Sequence, residues 1–279
     1  AEQRASRVAR AKEGLRDALS GWTEPEIEAH LARGYDNYWL TFSADSHIHH
    51  AELVRQAETK GLKLHIETRV LAESAVTEMV IYTADDPGLF SRIAGAIALA
   101  GAPIVDAKIM TLSNGMALDT FWIQDAQGGA FENPERLKRL RNRIEEALSG
   151  RINTTQELEL LRRQAPPKRT RVFKVPPHVL VDNKLSRTHT VIELNGRNRV
   201  GLLHDVTAAI TALGLQIASA HISTYGVRVV DVFYVKDIFG LKVENKEKHE
   251  AIRKSLLVVL SPPIASSGSD AEQNAAAAE

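Results

Sequence analysis

The pattern of hydrophobic and polar positions divides the chain into a helical first part and a longer part in which strands and helices alternate. Residues 1–61 are helical in pattern. Within them, Thr23 and Glu26 form a capping box that favours the start of a helix. A later helix over residues 45–60 is expected to end at Gly61, since glycine readily adopts the left-handed conformation that closes a helix.

A strand and an internal repeat follow this helical segment. In residues 62–71 apolar side chains alternate with polar ones, which is the period of a β-strand. Residues 77–125 and 188–237 then match each other at a shift of about 113 positions, which indicates two copies of one fold unit. The matched pairs are glycines, aliphatic and aromatic residues and acids, among them Gly88 with Gly201, Leu89 with Leu202, Ile97 with Ile210, Gly101 with Gly214, Ile109 with Ile222, Asp119 with Asp231 and Phe121 with Phe233.

Each copy has the same order of predicted elements. A β-branched strand leads into a turn that ends in Gly-Leu, and an apolar-striped helix, two strands joined by a hairpin and a charged helix follow. With one more strand this order is the ferredoxin-like βαββαβ unit. The predicted fold class is therefore α+β, with two ferredoxin-like repeats behind an N-terminal helical segment.

The last strand of each repeat is not evident from this order. The Pro-rich connector, residues 165–187, contains two short apolar runs, 172–175 and 179–181, either of which is able to close the first sheet. No strand pattern follows residue 260, so the second sheet must stay short or borrow a strand. We expect residues 62–71 to be the donor, which amounts to strand exchange between the repeats.

Composition narrows the classes of function. Lys plus Arg and Asp plus Glu both number 35, so the formal net charge is zero and a nucleic-acid partner is not expected. Cysteine is absent, which excludes disulfides and thiolate zinc sites and fits the cytoplasm. No apolar run approaches the roughly 18 residues that cross a bilayer, so no membrane partner is expected. The predicted location is the cytoplasm.

The turn after the first strand of each copy is the best candidate for a binding site. Glycine at a helix N-terminus lets backbone N–H groups approach a ligand carboxylate, and a preceding Asp or Asn accepts from an ammonium group. The first copy has Asp85, Asp86 and Gly88 at these positions, and the second has Asn198 and Gly201. Together these features suit an amino acid. The second turn lacks the proline of the first, which leaves open whether both bind equally.

Each of these turns lies inside a strand-helix-strand-strand unit, and their sequences are ADDPGLF and NGRNRVGLL. Turn and unit together resemble ACT domains, which are small modules that sense amino acids in metabolic enzymes. The pair, together with TVIELNGRNRVGLLHDVTAAI and the preceding FKVPPHVLVDN, resembles the C-terminal region of the bifunctional uridylyltransferase/uridylyl-removing enzyme family. That family modifies the nitrogen-regulatory P-II protein in response to glutamine. The resemblance implies that glutamine bound here favours removal of uridylyl groups over their transfer, by magnesium-dependent catalytic domains outside this chain.

The resemblance and the turns together assign candidate glutamine-binding residues, and they assign no catalytic residue, metal ligand or cofactor to this chain. The helix-mouth candidates are Asp85, Asp86, Gly88, Leu89 and Phe90 in the first copy and Asn198, Arg199, Gly201, Leu202 and Leu203 in the second. The candidates for holding the ligand side chain lie on the facing second strands and are Ile104, Asp106, Lys108, Ile217, Ser219 and His221.

The same reasoning predicts the domain boundaries. Residues 1–61 are a helical linker to the absent catalytic domains, 62–164 and 188–262 are the two ACT domains, and 165–187 connect them. Residues 263–279, rich in Ser and Ala, are expected to be a disordered tail, or in part a remnant of cloning.

Two other classes of function stay open. The repeats can be a ligand-free pairing module, which holds domains together or joins two chains as a homodimer. Alternatively, His204-Asp205 can be part of a metal-dependent hydrolase, although the further His and Asp ligands that such a site needs are not at suitable spacing. His47 and His50 lie on one helix face, but no third ligand accompanies them.

Overall fold

The structure is a computed structural model that describes residues 2–164 and 175–261. Its first part contains α1 (Glu2–Ala18), α2 (Glu24–Leu31), α3 (Asp36–Thr41) and α4 (Ala44–Thr59). The capping box at the start of α2 is confirmed, because Thr23 N donates to the Glu26 carboxylate at 2.7 Å. Gly61 follows α4 with a left-handed φ of 62°, as expected.

Each repeat then has the predicted elements with one strand added in front. The first contains β1 (Leu64–Leu71), β2 (Val76–Ala84), α5 (Leu89–Leu99), β3 (Ile104–Met110), β4 (Met116–Ile123) and α6 (Pro134–Leu148). Helix α7 (Thr154–Gln164) comes next. The second contains β5 (His178–Asp182), β6 (Thr190–Arg197), α8 (Leu202–Ala212), β7 (Leu215–Tyr225), β8 (Arg228–Asp237) and α9 (Lys246–Leu260).

The strands of the described residues form one antiparallel sheet in the order β1-β2-β4-β3-β7-β8-β6-β5. The repeats are joined edge to edge by β3 and β7, where Lys108 lies opposite His221. This arrangement confirms the α+β class with two ferredoxin-like repeats.

The predicted exchange of strands is wrong. Strand β1 pairs with β2 of the first repeat, with Ile66 opposite Ile81, and β5 pairs with β6 of the second, with Val181 opposite Ile192. The strand that completes each repeat is thus the one that precedes it in the chain, β1 in the first repeat and β5 in the second. A short local connection costs less loop-closure entropy than a strand borrowed from the other repeat. Of the two apolar runs proposed to close the first sheet, 179–181 belongs to β5, and 172–174 lies outside the described residues.

The two faces of the sheet are covered differently. Helices α5, α6, α8 and α9 cover one face with a continuous apolar core that includes Ile93, Phe121, Ile210 and Phe233. The N-terminal helices cover the opposite face of the first repeat, where Tyr38 and Trp39 pack with Val80 and Leu118. We call these the helix face and the N-terminal face.

In the part of the chain that the structure describes, no helix has both the length and the apolar character needed to span a bilayer.

Candidate functional site

Each candidate turn places a glycine with positive φ at the start of a helix. Gly88, with φ of 83°, precedes α5, and Gly201, with φ of 74°, precedes α8. The first helical N–H groups, of Leu89 and Leu202, each donate at 3.1 Å to a carbonyl three residues back. The N–H groups that follow them precede the first intrahelical hydrogen bond and are available to an anion.

A cavity of about 300 Å³ lies beside the first turn, and we call it the first pocket. The first repeat contributes the turn and the adjoining parts of β3 and β4, and the second contributes the end of α8 and the start of β7. The residues that line it include Asp85, Asp86, Gly88, Leu89, Phe90, Ile109, Thr111, Asp119, Thr211, Leu215, Gln216 and Ile217. Both repeats therefore build this pocket.

A second cavity, of about 470 Å³, lies beside the second turn, and we call it the second pocket. Its lining is the counterpart of the first, because it combines the second turn with the end of α5 and the start of β3. The residues include Asn198, Arg199, Gly201, Leu202, Leu203, Ile222, Thr224 and Asp231 from the second repeat and Ala98, Ala102 and Ile104 from the first.

The pairing of β3 with β7 explains this crosswise arrangement. Its register, in which Asp106 lies opposite Ser223 and Met110 opposite Ser219, relates the repeats by a pseudo-twofold axis. Each turn consequently faces the start of the other repeat's second strand. Ile217 thus lies in the pocket of the first turn, and Ile104 in that of the second.

The first turn presents acidic groups to its pocket. Thr111 Oγ1 donates to Asp85 Oδ2 at 2.8 Å. Burial raises the pKa of Asp85, the Thr111 hydrogen bond opposes this, and the charge of Asp86 adds to it. The Asp86 carboxylate is itself bound by Arg92 of α5. Asp85 is therefore a carboxylate at the pocket that an ammonium group would stabilise.

The second turn is held by different contacts. Arg199 Nη1 lies 2.6 Å from Asp205 Oδ2, and Arg199 Nη2 donates to Val259 O at 3.1 Å. From α7, Arg162 Nη2 donates to Val200 O at 3.0 Å. A Cβ added to Gly201 would overlap the Arg162 guanidinium, whereas one added to Gly88 would meet only Ser91 Oγ, at 3.8 Å. Helix α7 thus supports the second turn.

Two buried acids occupy equivalent positions on β4 and β8. Asp119 is 1 % exposed and Asp231 is 2 % exposed. Burial raises the pKa of Asp119 well above its usual range, and the charge of Asp85 adds to this. Burial also raises the pKa of Asp231 to about 7, against a hydrogen bond from Ser223 N. Each pocket therefore contains a carboxyl group that holds its proton more tightly than usual.

Four of the predicted binding residues lie outside both pockets. Asp106, Lys108, Ser219 and His221 project from the N-terminal face, where Lys108 Nζ donates to Thr41 O at 3.1 Å and Asn37 donates to Ser219 Oγ at 3.3 Å. Bulges in β3 and β7 shift the register between Ile104 and Asp106 and between Ile217 and Ser219. Because a bulge reverses the alternation, Ile104 and Ile217 reach the pockets and the other four do not.

Asp119 and Asp231 line the pockets but are not among the predicted binding residues. Both were matched by the repeat, and each is an acid at a core-facing position of an alternating apolar strand. That combination is a signal, because a buried carboxyl needs a partner. Thr111 and Thr224 lie 113 positions apart, at equivalent places in the two repeats, and also line the pockets.

The two histidine groups considered as metal ligands lie in packed interfaces. His204 is 3 % exposed, its Nε2 lies 3.3 Å from the hydroxyls of Thr154 and Thr155 of α7, and its Nδ1 lies 3.1 Å from Asp205. His47 and His50 are buried against Tyr38. Within residues 2–164 and 175–261, no three or more His, Cys, Asp or Glu side chains are placed to hold a metal ion.

Residues 185–261 match the family model described as the ACR family N-terminal ACT domain. The second repeat is an ACT domain. The first repeat is the pseudo-twofold counterpart of this domain. It has the same order of elements and an equivalent pocket.

The chain is also similar, over nearly its whole length, to bifunctional uridylyltransferase/uridylyl-removing enzymes. It is 48% identical over 266 residues to that of Gluconobacter oxydans (strain 621H) and 52% identical over 266 residues to that of Azospirillum brasilense. The enzyme of Rhodospirillum rubrum is 47% identical over 266 residues. Each alignment covers 95% of this chain and 28% of the relative, so the chain spans less than a third of these proteins.

Proposed function

We propose that this chain is a regulatory region that binds an amino acid, glutamine, in the first pocket. The observation that carries the proposal is the first pocket itself, where the Asp85 carboxylate and the N-terminus of α5 line one cavity. These groups are complementary to the two charged ends of an amino acid, since carboxylates bind ammonium groups and helix N-termini bind carboxylates. The cavity volume of about 300 Å³ is in the range of small-molecule sites.

The first pocket suits this role better than the second. At the position of Asp85 the second turn has Asn198, which carries no charge to hold an ammonium group. Thr224, the counterpart of Thr111, donates to Ile104 O at 3.1 Å instead of to the turn. The proposal therefore assigns the amino acid to the first pocket.

Regulation follows from the construction of the pocket by two repeats. A ligand shifts an equilibrium only if it binds one arrangement more tightly than the other, and a ten-fold shift needs about 1.4 kcal/mol. An amino acid that contacts the first turn and the start of β7 would favour the arrangement in which both surround it. We propose that this arrangement biases catalytic domains toward removing uridylyl groups from the P-II protein, as the names of the relatives and the family resemblance suggest.

In this proposal the chemistry belongs to residues outside the chain. The magnesium that the family's transferase chemistry uses would be held by residues of those catalytic domains. We place this function in the cytoplasm, which the cysteine-free sequence supports.

Calorimetry of the 279-residue chain with glutamine, glutamate and apolar amino acids tests the proposal. Asp85→Asn removes the charge and keeps the size, and we expect it to weaken glutamine binding at least ten-fold, because a hydrogen bond to a charged group contributes about 1.5–3 kcal/mol. Asn198→Ala is the matched change in the second turn and should leave this binding unchanged.

The outcomes separate the alternatives. If the wild-type chain binds no amino acid, the pairing module is the better interpretation, and sedimentation then shows whether two chains associate. Equal losses in the two variants would mean that both pockets take ligand. If Asp85→Asn binds glutamine as tightly as the wild type, the ligand does not bind in the first pocket.

A further inference from the structure

Asp119 stands out among the residues of the first pocket because the fold itself uses only part of it. The side chain is 1 % exposed, yet it lines the pocket. Among the described residues its one hydrogen bond joins Met110 N to Oδ1, at 3.3 Å. The second carboxyl oxygen, Oδ2, has no partner there. This oxygen is therefore free to bind a ligand in the pocket that Asp119 lines.

A ligand that reaches from the turn into the pocket supplies the missing partner. Asp85 and Asp119 line the same cavity, and they are close enough for the charge of Asp85 to act on the Asp119 carboxyl. An amino acid whose ammonium group binds Asp85 can therefore extend its side chain toward Asp119, in a cavity that Ile109 and Ile217 also line.

The chemistry of Asp119 restricts that side chain. A protonated carboxyl both donates, through its O–H, and accepts, through its C=O. A carboxamide has the complementary pair, with an N–H to donate and an oxygen to accept. An apolar side chain of equal length would leave Asp119 Oδ2 as unpartnered as it is without ligand.

The other charges around the pocket disfavour an anionic side chain. Asp85 and Asp86 lie at its mouth, and Arg92 is engaged by Asp86. Lys236 is the one lysine or arginine among the described residues that line the pocket. The acids at the mouth of the pocket therefore outnumber its one lysine, which disfavours a further carboxylate.

We propose that Asp119 is the specificity-determining residue of the first pocket, where it binds the terminal carboxamide of an amino-acid ligand through both of its hydrogen-bonding functions. This inference rests on the proposed function, because it requires an amino acid in the first pocket. It identifies a residue that recognises the ligand's side chain. Neither the turns nor the family resemblance identifies that residue.

The test compares glutamine with methionine, whose side chain has similar length and no hydrogen-bond donor. Calorimetry is done on the wild-type chain, on Asp119→Leu and on Asp119→Asn. In Asp119→Leu we expect glutamine binding to weaken at least ten-fold and methionine binding to hold or improve. In Asp119→Asn, which keeps a donor and an acceptor, glutamine affinity should stay within about three-fold of the wild type, since one amide can pair with another.

Asp231→Leu is the matched control, because it makes the same change at the equivalent buried position of the other repeat. It should leave the ratio of glutamine to methionine affinity unchanged. If Asp119→Leu does not fold, as judged by its circular dichroism, Asp119→Ala replaces it, with the same expected fall in that ratio.

The inference is overturned if the ratio does not change in the Asp119 variant, or if both ligands weaken equally. In that case glutamine binding by the wild type still upholds the proposed function. A wild-type chain that binds no amino acid overturns both.

Discussion

Arg199 Nη1 lies 2.6 Å from Asp205 Oδ2, and the equivalent positions of the first repeat, Asp86 and Arg92, form the same ion pair with the charges exchanged. Each pair ties a turn to the helix that follows it. The second repeat adds Arg162 of α7, whose Nη2 lies 3.0 Å from the same Asp205 oxygen. The second turn is therefore held from two sides, and the first turn is held from one.

Asp205→Asn should destabilise the chain more than Asp86→Asn. Burial alone would raise the pKa of Asp205, but hydrogen bonds from His204 and Arg199 outweigh it and lower the pKa to about 2. A lowered pKa gives stability that is present above about pH 4 and is lost as pH falls through about 2. At pH 7 the loss in Asp205→Asn should be about 2 kcal/mol, measured as the free energy of unfolding in urea.

The exposed pair in the first repeat is the control. The Asp86 side chain is 55% exposed, and exposed ion pairs contribute about 0–1 kcal/mol. Equal losses in the two variants would show that the additional contact from α7 has no energetic effect.

The repeat made most of the fold predictable from sequence. Matches such as Gly88 with Gly201 identified two copies of one unit and located both turns. The order of strands was not predictable, because apolar alternation in residues 62–71 and 179–181 indicates a strand without naming its partner. Pairing to the nearest strand in sequence, which is what β1 and β5 do, required the three-dimensional structure.

The site was predictable at the turns and only in part on the strands. The turns followed from glycine and acid positions, which are local properties. Four of the predicted strand residues lie outside both pockets because a single bulge after Ile104 or Ile217 reverses which side chains face the helices. Nothing in a simple alternation marks that extra residue. Asp119 was missed for another reason, since its place in the pocket depends on how two repeats pair.

Gly95→Ala should destabilise the contact between the repeats. A Cβ at Gly95 would lie 2.8 Å from both His204 Cδ2 and Thr154 Cβ, where α5, α7 and α8 meet. Overpacking of this kind costs about 1–3 kcal/mol. Gly14→Ala, in α1, is the control, since its Cβ would meet nothing within 4 Å and alanine favours a helix by up to about 1 kcal/mol. Thermal unfolding should show a lower midpoint for the first variant only.

The free energy of unfolding of Asp231→Asn should fall less with rising pH than that of the wild type. Burial raises the pKa of Asp231 to about 7, so the folded chain binds a proton that the unfolded chain has released above about pH 4. That contribution to stability is lost as pH rises through about 7. Between pH 5 and pH 8 the wild type should lose about 2–3 kcal/mol relative to the variant, measured by urea unfolding. Parallel pH profiles would contradict a buried, protonated Asp231.

Acidification should weaken the N-terminal helical segment through its buried histidines. His30 is 5 % exposed, His47 is 2 % and His50 is 1 %. His30 Nδ1 and His47 Nε2 have no hydrogen-bond partner among the described residues. Burial lowers the pKa of His30 to about 4, and the charges of Arg33 and His47 add to this. Below about pH 6.5 the unfolded chain thus binds a proton at His30 that the folded chain excludes.

His30→Leu isolates this effect from the buried acids, which act in the opposite direction. Since the folded pKa is lowered, the stability contribution is present above about pH 6.5 and falls toward pH 4. Between pH 7 and pH 5 the wild type should lose about 2 kcal/mol more than His30→Leu, because one pKa unit corresponds to about 1.4 kcal/mol. Urea unfolding at the two pH values measures the difference. If the two proteins lose stability equally, His30 accepts its proton in the folded state, and the apolar packing around Trp22 does not exclude the charge.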